Sequence, residues 1–146
     1  MTLVIQGEKI VLEARSWTGT PYIHQASAKG VGCDCLGLVT GIWRELGGEM
    51  ARPLPPYTPD WGEVDRVEHV LTAAGDFLTP INAEQSQPGD LVIFRWRVGT
   101  IAKHMGILSA SDRFVHAWER VGVVEAVLVP QWRKRMAGFF RFPDLS

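Results

Sequence analysis

Two segments in the first third of the chain carry apolar residues every three or four positions, the spacing of one face of an α-helix. The first is residues 8–17, and the helix breakers in the segment TGTP predict its end. The second is residues 35–46, and the pair Gly47-Gly48 predicts its end. Residues 22–32 lie between them. The pattern therefore predicts two amphipathic helices joined by a loop.

A third helix is predicted over residues 60–74, where Val64, Val67 and Val70 share one face. Asp60 is a suitable N-cap, because its side-chain oxygens can accept hydrogen bonds from the free N–H groups of the first turn. The preceding residues 51–60 contain four prolines. Those prolines predict an irregular connection between the second and third helices.

The pattern changes after the segment QPGD at residues 87–90. Short runs of β-branched and aromatic residues, separated by turns, now predict strands. The predicted strands are residues 91–97, 104–110, 113–119, 122–129 and 138–142, with a short turn of helix at residues 130–136. Helices followed by antiparallel strands indicate an α+β fold, with the helices packed on one face of the sheet. The length of 146 residues predicts a single domain over residues 1–146.

Charge is balanced overall but uneven along the chain. The net charge of −1 gives no reason to expect binding to nucleic acid. Residues 91–142 nevertheless hold nine Lys or Arg against three Asp or Glu, which fits either an acidic substrate or a solvated face of the sheet. The N-terminus does not resemble a secretory signal, and no apolar run is long enough to span a membrane. We therefore expect synthesis in the cytoplasm without a signal peptide, reduced thiols and no membrane insertion.

The only two cysteines of the chain, Cys33 and Cys35, stand one residue apart in the segment GVGCDCLGLV. A disulfide between them would close a small and strained ring. A zinc site is disfavoured as well, because neither this spacing nor the separation of His104 from His116 is typical of zinc ligands. We therefore expect no metal. The remaining alternatives are a nucleophile or a small buried apolar residue.

The position of Cys35 favours the nucleophile, because the predicted helix begins there. Free N–H groups and the helix dipole stabilise an anion at such a position, and both lower the pKa of a thiol. His104 and His116 lie on neighbouring predicted strands, so their rings can meet across the sheet. One histidine would then accept the thiol proton and the other would orient it. The alternative for each histidine is a hydrogen-bonded core residue.

With these residues in view, the chain resembles the NlpC/P60 family of papain-like cysteine peptidases. The resemblance rests on segments in the family order over about a hundred residues. They are TGTPY at residues 18–22, GCDCLGLV at 32–39, QPGDLVIF at 87–94, KHMGIL at 103–108 and FVHAWE at 114–119. The fold that the resemblance implies agrees with the α+β architecture derived from the pattern.

The resemblance also implies roles for individual residues. Cys35 would be the nucleophile, His104 the general base and acid, and His116 the residue that orients His104. Tyr22 would reach the site with its hydroxyl, and Asp34 would contribute beside the nucleophile.

Three further residues bear on the site that the resemblance implies. Leu36 replaces the serine that usually follows the nucleophile, which points to a change in how the pocket recognises substrate. Cys33 has no counterpart in the family motif, and we interpret it as a packing residue rather than a redox centre. His24 lies in the predicted loop before Cys35 and is a candidate to line the site.

The activity implied by the family is hydrolysis of peptide bonds in the stem peptides of bacterial peptidoglycan, with no metal or organic cofactor. Three basic residues of the second half, Arg95, Arg97 and Lys103, are candidates to attract the carboxylates of such a peptide.

The segments PYIHQAS and GCDCLGLV resemble a subset of the family found in phage tail and gene transfer agent clusters. This resemblance implies a chain carried to the cell wall in a phage-like particle, with tail hub or baseplate proteins as partners. Two alternatives belong to other functional classes: a structural or adapter piece of a tail tip, and a thiol acyltransferase on the same fold.

Overall fold

Four helices are present in the computed structural model, which describes residues 3–49, 68–97 and 99–145. They are α1 (Leu3–Ser16), α2 (Cys35–Glu45), α3 (His69–Phe77) and α4 (Pro130–Arg133). Helix α2 begins at the residue that the sequence predicts. Helix α1 begins five residues earlier than predicted and ends one residue sooner. Within the described ranges, no helix has the length and apolarity needed to cross a membrane.

The predicted third helix agrees with the structure only in its second half. Helix α3 begins at His69, and Glu68 before it adopts a non-helical conformation. The helix continues to Phe77, three residues beyond the predicted end. Asp60 with its predicted capping role, residues 61–67 and the proline-rich connection all lie outside the described residues.

Eight strands accompany the helices. Two short strands, β1 (Ser27–Ala28) and β2 (Gly32–Cys33), pair within the segment predicted to be a loop. The others are β3 (Thr79–Ile81), β4 (Leu91–Arg95), β5 (Ala102–Ala110), β6 (Arg113–Trp118), β7 (Gly122–Val127) and β8 (Met136–Arg141). These six form one antiparallel sheet in the order β3-β8-β4-β5-β6-β7. The α+β prediction is confirmed, although β3 was not predicted.

The two faces of this sheet bury different clusters of side chains. One face packs against α1, α2 and α3, and its core includes Ile93, Met105 and Val115. The opposite face buries a second cluster that includes Phe94 and Phe114. Because successive residues of a strand point to opposite faces, neighbours in sequence contribute to different clusters. Burial on both faces explains why these strands are almost continuously apolar.

Two buried polar side chains form hydrogen bonds with residues 141–145 near the C-terminus. The amide of Gln6 in α1 donates to the carbonyl of Pro143 and accepts from the N–H of Leu145, at 2.7 and 2.9 Å. Asp90, before β4, accepts from the guanidinium of Arg141 in β8 at 3.0 and 2.8 Å. Both carry satisfied hydrogen bonds, so their burial is compatible with a stable fold.

Candidate active site

The first turn of α2 is held by the buried carboxylate of Asp34, which is 2% exposed. Its Oδ1 accepts from the N–H of Gly37 at 2.7 Å, as an N-cap residue does. Its Oδ2 accepts from the N–H of Gln25 at 2.7 Å. Gln25 has a φ of 63°, a left-handed conformation that costs a non-glycine residue about 1 kcal/mol or more. The carboxylate thus fixes both the helix terminus and the strained loop before it.

Gly37 allows that loop to lie directly against α2. A Cβ on Gly37 would come within 1.8 Å of the carbonyl oxygen of Ala26, which no side chain can tolerate. The hydroxyl of Ser27 donates to the carbonyl of Gly37 at 2.7 Å and completes the contact. The loop and the helix therefore hold Cys35, the first residue of α2, in a defined position.

The sulfur of Cys35 lies against the backbone of β5. It is 4.0 Å from the carbonyl oxygen of Lys103, and the backbone N–H of Met105 is also directed toward it. These two residues flank His104. These residues of β5 pair with β4, where Ile93 lies opposite Met105 and Phe94 lies opposite His104. Because Met105 belongs to the helix-side core, the ring of His104 points to the other face of the sheet, where it contacts Phe94.

His104 and His116 are in direct contact. Nε2 of His104 lies 2.7 Å from Nδ1 of His116, and the two rings are 2% and 0% exposed. Gly106 makes room for this contact, because a Cβ there would lie 3.1 Å from the Cβ of His116 and 2.8 Å from the carbonyl of Val115. With Nε2 engaged, Nδ1 is the ring nitrogen through which His104 can exchange a proton with another group.

Burial controls the protonation of the site. Burial, and then the neighbouring His116, hold the pKa of His104 well below its ordinary value of 6.5, and burial lowers the pKa of His116 to about 4. Burial, and then the carboxylate of Asp34, raise the pKa of the Cys35 thiol to about 12. The N–H groups of Met105, Leu36 and Cys35 itself act in the opposite direction but do not prevail. The helix terminus alone predicts a lowered thiol pKa, but in the folded chain burial outweighs it and favours the uncharged form of the thiol and of both imidazoles.

The other residues predicted for the site have different surroundings. Tyr22 is half-buried and forms a backbone bridge with Cys33, and burial and then the nearby Cys35 and Asp34 raise the pKa of its hydroxyl far above the ordinary range. His24 instead lies over Asp34, with Nδ1 3.6 Å from Oδ2. Leu36 faces an apolar cavity of about 160 Å³ between α2, α3 and the sheet. Cys33 is fully buried in the helix-side core, as expected of a packing residue.

Sequence reasoning missed the aromatic side chains that enclose the histidine pair. Trp96 stacks on His104 with ring centroids 5.0 Å apart and an angle of 19°. Trp118 stacks on His116 with ring centroids 6.0 Å apart, and Phe114 lies tilted by 30° to His116 at 4.3 Å. Trp132 of α4 lies 5.7 Å from the ring of His104 and 5.2 Å from that of His116. We call Trp96, Phe114, Trp118 and Trp132 the aromatic cage.

The alternation of residues along β6 could have indicated part of the aromatic cage. Phe114, His116 and Trp118 alternate along β6 and must share one face of the sheet. Trp132 gave no comparable signal, because its place depends on how α4 folds back over the sheet.

The family model for the NlpC/P60 family matches residues 19–141, which covers α2, the sheet and both histidines. The chain belongs to the NlpC/P60 family.

Named relatives agree with this assignment. The gamma-DL-glutamyl hydrolase of Bacillus subtilis is 30% identical over 138 residues, which are 94% of this chain and 30% of that protein. The murein DD-endopeptidase MepS/murein LD-carboxypeptidase of Escherichia coli is 29% identical over 128 residues, which are 87% of this chain and 58% of that protein. This NlpC/P60 chain therefore spans between about a third and three fifths of the length of these relatives.

Solved structures confirm the fold. An NLP/P60 family protein from Staphylococcus aureus, described as similar to a lipoprotein, superposes with a TM-score of 0.65 at 23% identity. The superposition covers 96% of this chain and 42% of that protein. The NlpC/P60 architecture therefore accounts for nearly the whole chain.

The buried neutral histidines predict a specific dependence of stability on pH. Because the folded pKa of His116 is depressed to about 4, the unfolded state binds more protons as pH falls below 6.5. The free energy of unfolding should therefore decrease as pH falls from 6.5 toward 4, by up to about 3 kcal/mol from His116. Urea unfolding at a series of pH values measures this, and a His116→Gln variant should show a shallower slope between pH 6.5 and 5. An unchanged slope would contradict the assignment.

The aromatic cage predicts the cause of the lowered pKa of His116. Replacing Trp132 with Ala admits water to both imidazoles, so the pKa of His116 should rise by one unit or more toward 6.5. Trp43→Ala is a matched control, since Trp43 lies on the helix side of the sheet and its loss should not move this pKa. Titration of the histidine ring protons by NMR gives both values. A pKa of His116 that stays near 4 in Trp132→Ala would show that the cage does not set it.

Proposed function

We propose that this NlpC/P60 domain is a cysteine endopeptidase that hydrolyses peptide bonds in bacterial peptidoglycan stem peptides. The observation that carries the proposal is the buried pair of His104 and His116, whose ring nitrogens lie 2.7 Å apart, on the strand whose backbone the Cys35 thiol contacts from the helix side. Two of the relatives, a murein endopeptidase and a glutamyl hydrolase, support a peptide of this class as the substrate.

The reaction begins from uncharged groups. The proposed reaction requires the ring of His104 to reach the thiol from the opposite face of the sheet. His104 then accepts the proton of the Cys35 thiol at Nδ1 while the sulfur attacks the carbonyl carbon of the scissile peptide bond. His104 becomes an imidazolium, and its Nε2–H donates to Nδ1 of His116. That contact stabilises the new charge and keeps the ring in place. The negative charge passes to the substrate oxygen.

Two donors are positioned for that oxygen. The backbone N–H of Cys35 belongs to the free first turn of α2, and Tyr22 is held close by its backbone bridge to Cys33. A single donor of this kind contributes about 3 kcal/mol to stabilising the transition state. The high pKa of Tyr22 keeps its hydroxyl protonated and able to donate.

The second half of the reaction returns the groups to their starting state. The carbon–nitrogen bond breaks as the imidazolium of His104 donates its proton to the leaving amine, which leaves an acyl group on Cys35. His104 then accepts a proton from a water molecule as its oxygen attacks the acyl carbon. The carbon–sulfur bond breaks, the thiol regains its proton from His104, and the acid product leaves.

Replacing Cys35 with Ala tests this mechanism. The change should abolish hydrolysis, with a loss of at least about a thousandfold in kcat/KM, because it removes the proposed nucleophile. Cys33→Ala is the matched control, and it should retain most of the activity because Cys33 is a packing residue of the core. The measurement is release of soluble peptides from purified peptidoglycan, with products identified by mass so that hydrolysis is distinguished from acyl transfer. Equal activity of the wild-type and Cys35→Ala proteins would refute the proposal.

We also propose, from the resemblance of PYIHQAS and GCDCLGLV alone, that the chain works as a component of a phage-like tail. The chain should then sediment with assembled particles, bound to tail hub or baseplate proteins, when particles are purified from the source cells. Its complete absence from purified particles would contradict this placement and would leave the peptidase proposal unaffected.

A further inference from the structure

The apolar cavity of about 160 Å³ lies on the face of the sheet that carries the helices. Helices α2 and α3 each contribute residues at the spacing of one helical face. Those residues are Leu36, Val39, Thr40 and Trp43 from α2, and Val70, Ala73, Ala74 and Phe77 from α3. The two alanines in the middle of the α3 set are too small to fill the space between the helices. This explains why a cavity is left in an otherwise packed core.

The cavity offers a ligand almost no polar partner among the described residues that line it. The hydroxyl of Thr40 donates to the carbonyl of Leu36 at 2.9 Å, and the indole N–H of Trp43 donates to the carbonyl of Glu49 at 3.4 Å. Leu36, Thr40 and Ala73 are half-buried and Glu49 is exposed, so the cavity reaches the surface. Such a site suits an apolar group, and an apolar cavity of about 150 Å³ is large enough for benzene.

Two residues place this cavity beside the thiol of Cys35. The backbone N–H groups of Leu36 and Met105 are both directed toward the sulfur. The same two residues line the cavity. Cys35 and Leu36 also both pack against the helix-side core. The sulfur and the cavity therefore lie on the same side of the sheet, separated by the width of a single residue.

The proposed mechanism indicates which part of a substrate would enter the cavity. The leaving half departs as an amine, whereas the acyl half stays bonded to the sulfur of Cys35 until water attacks. The residue that supplies the scissile carbonyl has its Cα bonded to the carbon that the sulfur attacks. Its side chain is therefore the substrate side chain nearest to the cavity.

We propose that the apolar cavity receives an apolar side chain of the residue that supplies the scissile carbonyl. The inference rests on the proposed peptidase function and deepens it, because it names the class of side chain that one subsite selects. It also gives a role to Leu36, which stands in place of the serine that usually follows the nucleophile. Leucine makes the wall between the thiol and the cavity apolar, so that an apolar side chain can pass along it.

The test uses two synthetic peptides that differ only in the residue before the scissile bond, which is leucine in one and alanine in the other. The wild-type protein should cleave the leucine peptide with a kcat/KM about tenfold higher, because the larger side chain buries more apolar surface. Ala73→Leu fills the cavity from α3 and should remove most of that preference by slowing cleavage of the leucine peptide. Ala110→Leu is the matched control, since it adds the same volume to a half-buried alanine at the far end of β5. It should keep the preference.

Binding of the same two peptides to the Cys35→Ala protein, measured by calorimetry, separates the two proposals. Tighter binding of the leucine peptide that is lost in a Cys35→Ala/Ala73→Leu protein supports the cavity even where the wild-type protein cleaves neither peptide, in which case the peptidase proposal alone fails. Equal binding of the two peptides would overturn the cavity assignment, and so would cleavage at equal kcat/KM, while hydrolysis stands.

A measurement that needs no change in the cavity covers the case in which Ala73→Leu does not fold. In the complex of Cys35→Ala with the leucine peptide, NMR should show nuclear Overhauser effects between the leucine methyl groups and the methyl group of Met105. Their absence from a complex that is otherwise saturated would contradict the assignment.

Discussion

The buried carboxylate of Asp34 is the interaction on which the position of the thiol depends. Each of its oxygens accepts a backbone N–H, one from the first turn of α2 and one from the strained residue Gln25. A neutral side chain could cap the helix but would hold the loop less firmly, because charged acceptors form the stronger hydrogen bonds. The same negative charge raises the pKa of the adjacent Cys35 thiol. The fold therefore fixes the position of the Cys35 thiol while making the thiol harder to ionise.

Burial acts in the same direction on the histidine pair. The aromatic cage removes water from His104 and His116, which keeps both imidazoles neutral and available as proton acceptors. In the low dielectric that the cage creates, the hydrogen bond between the rings strengthens when His104 becomes charged. The proposed site therefore contains no ion pair in its resting state. The charges of the proposed reaction arise only in the transition state, where the contact with His116 and the first turn of α2 can stabilise them.

Local features of the sequence predicted much of this arrangement. The start of α2 at Cys35 follows from the glycine-containing segment before an apolar period, and the strands that carry His104 and His116 follow from their β-branched pattern. Features that depend on tertiary packing were not predictable in this way. The helix terminus argued for a low thiol pKa, but burial against β5 outweighs it, and only the folded chain shows how deeply the sulfur lies. The same reason explains Trp132, whose contact with both rings depends on the path of the chain after β7.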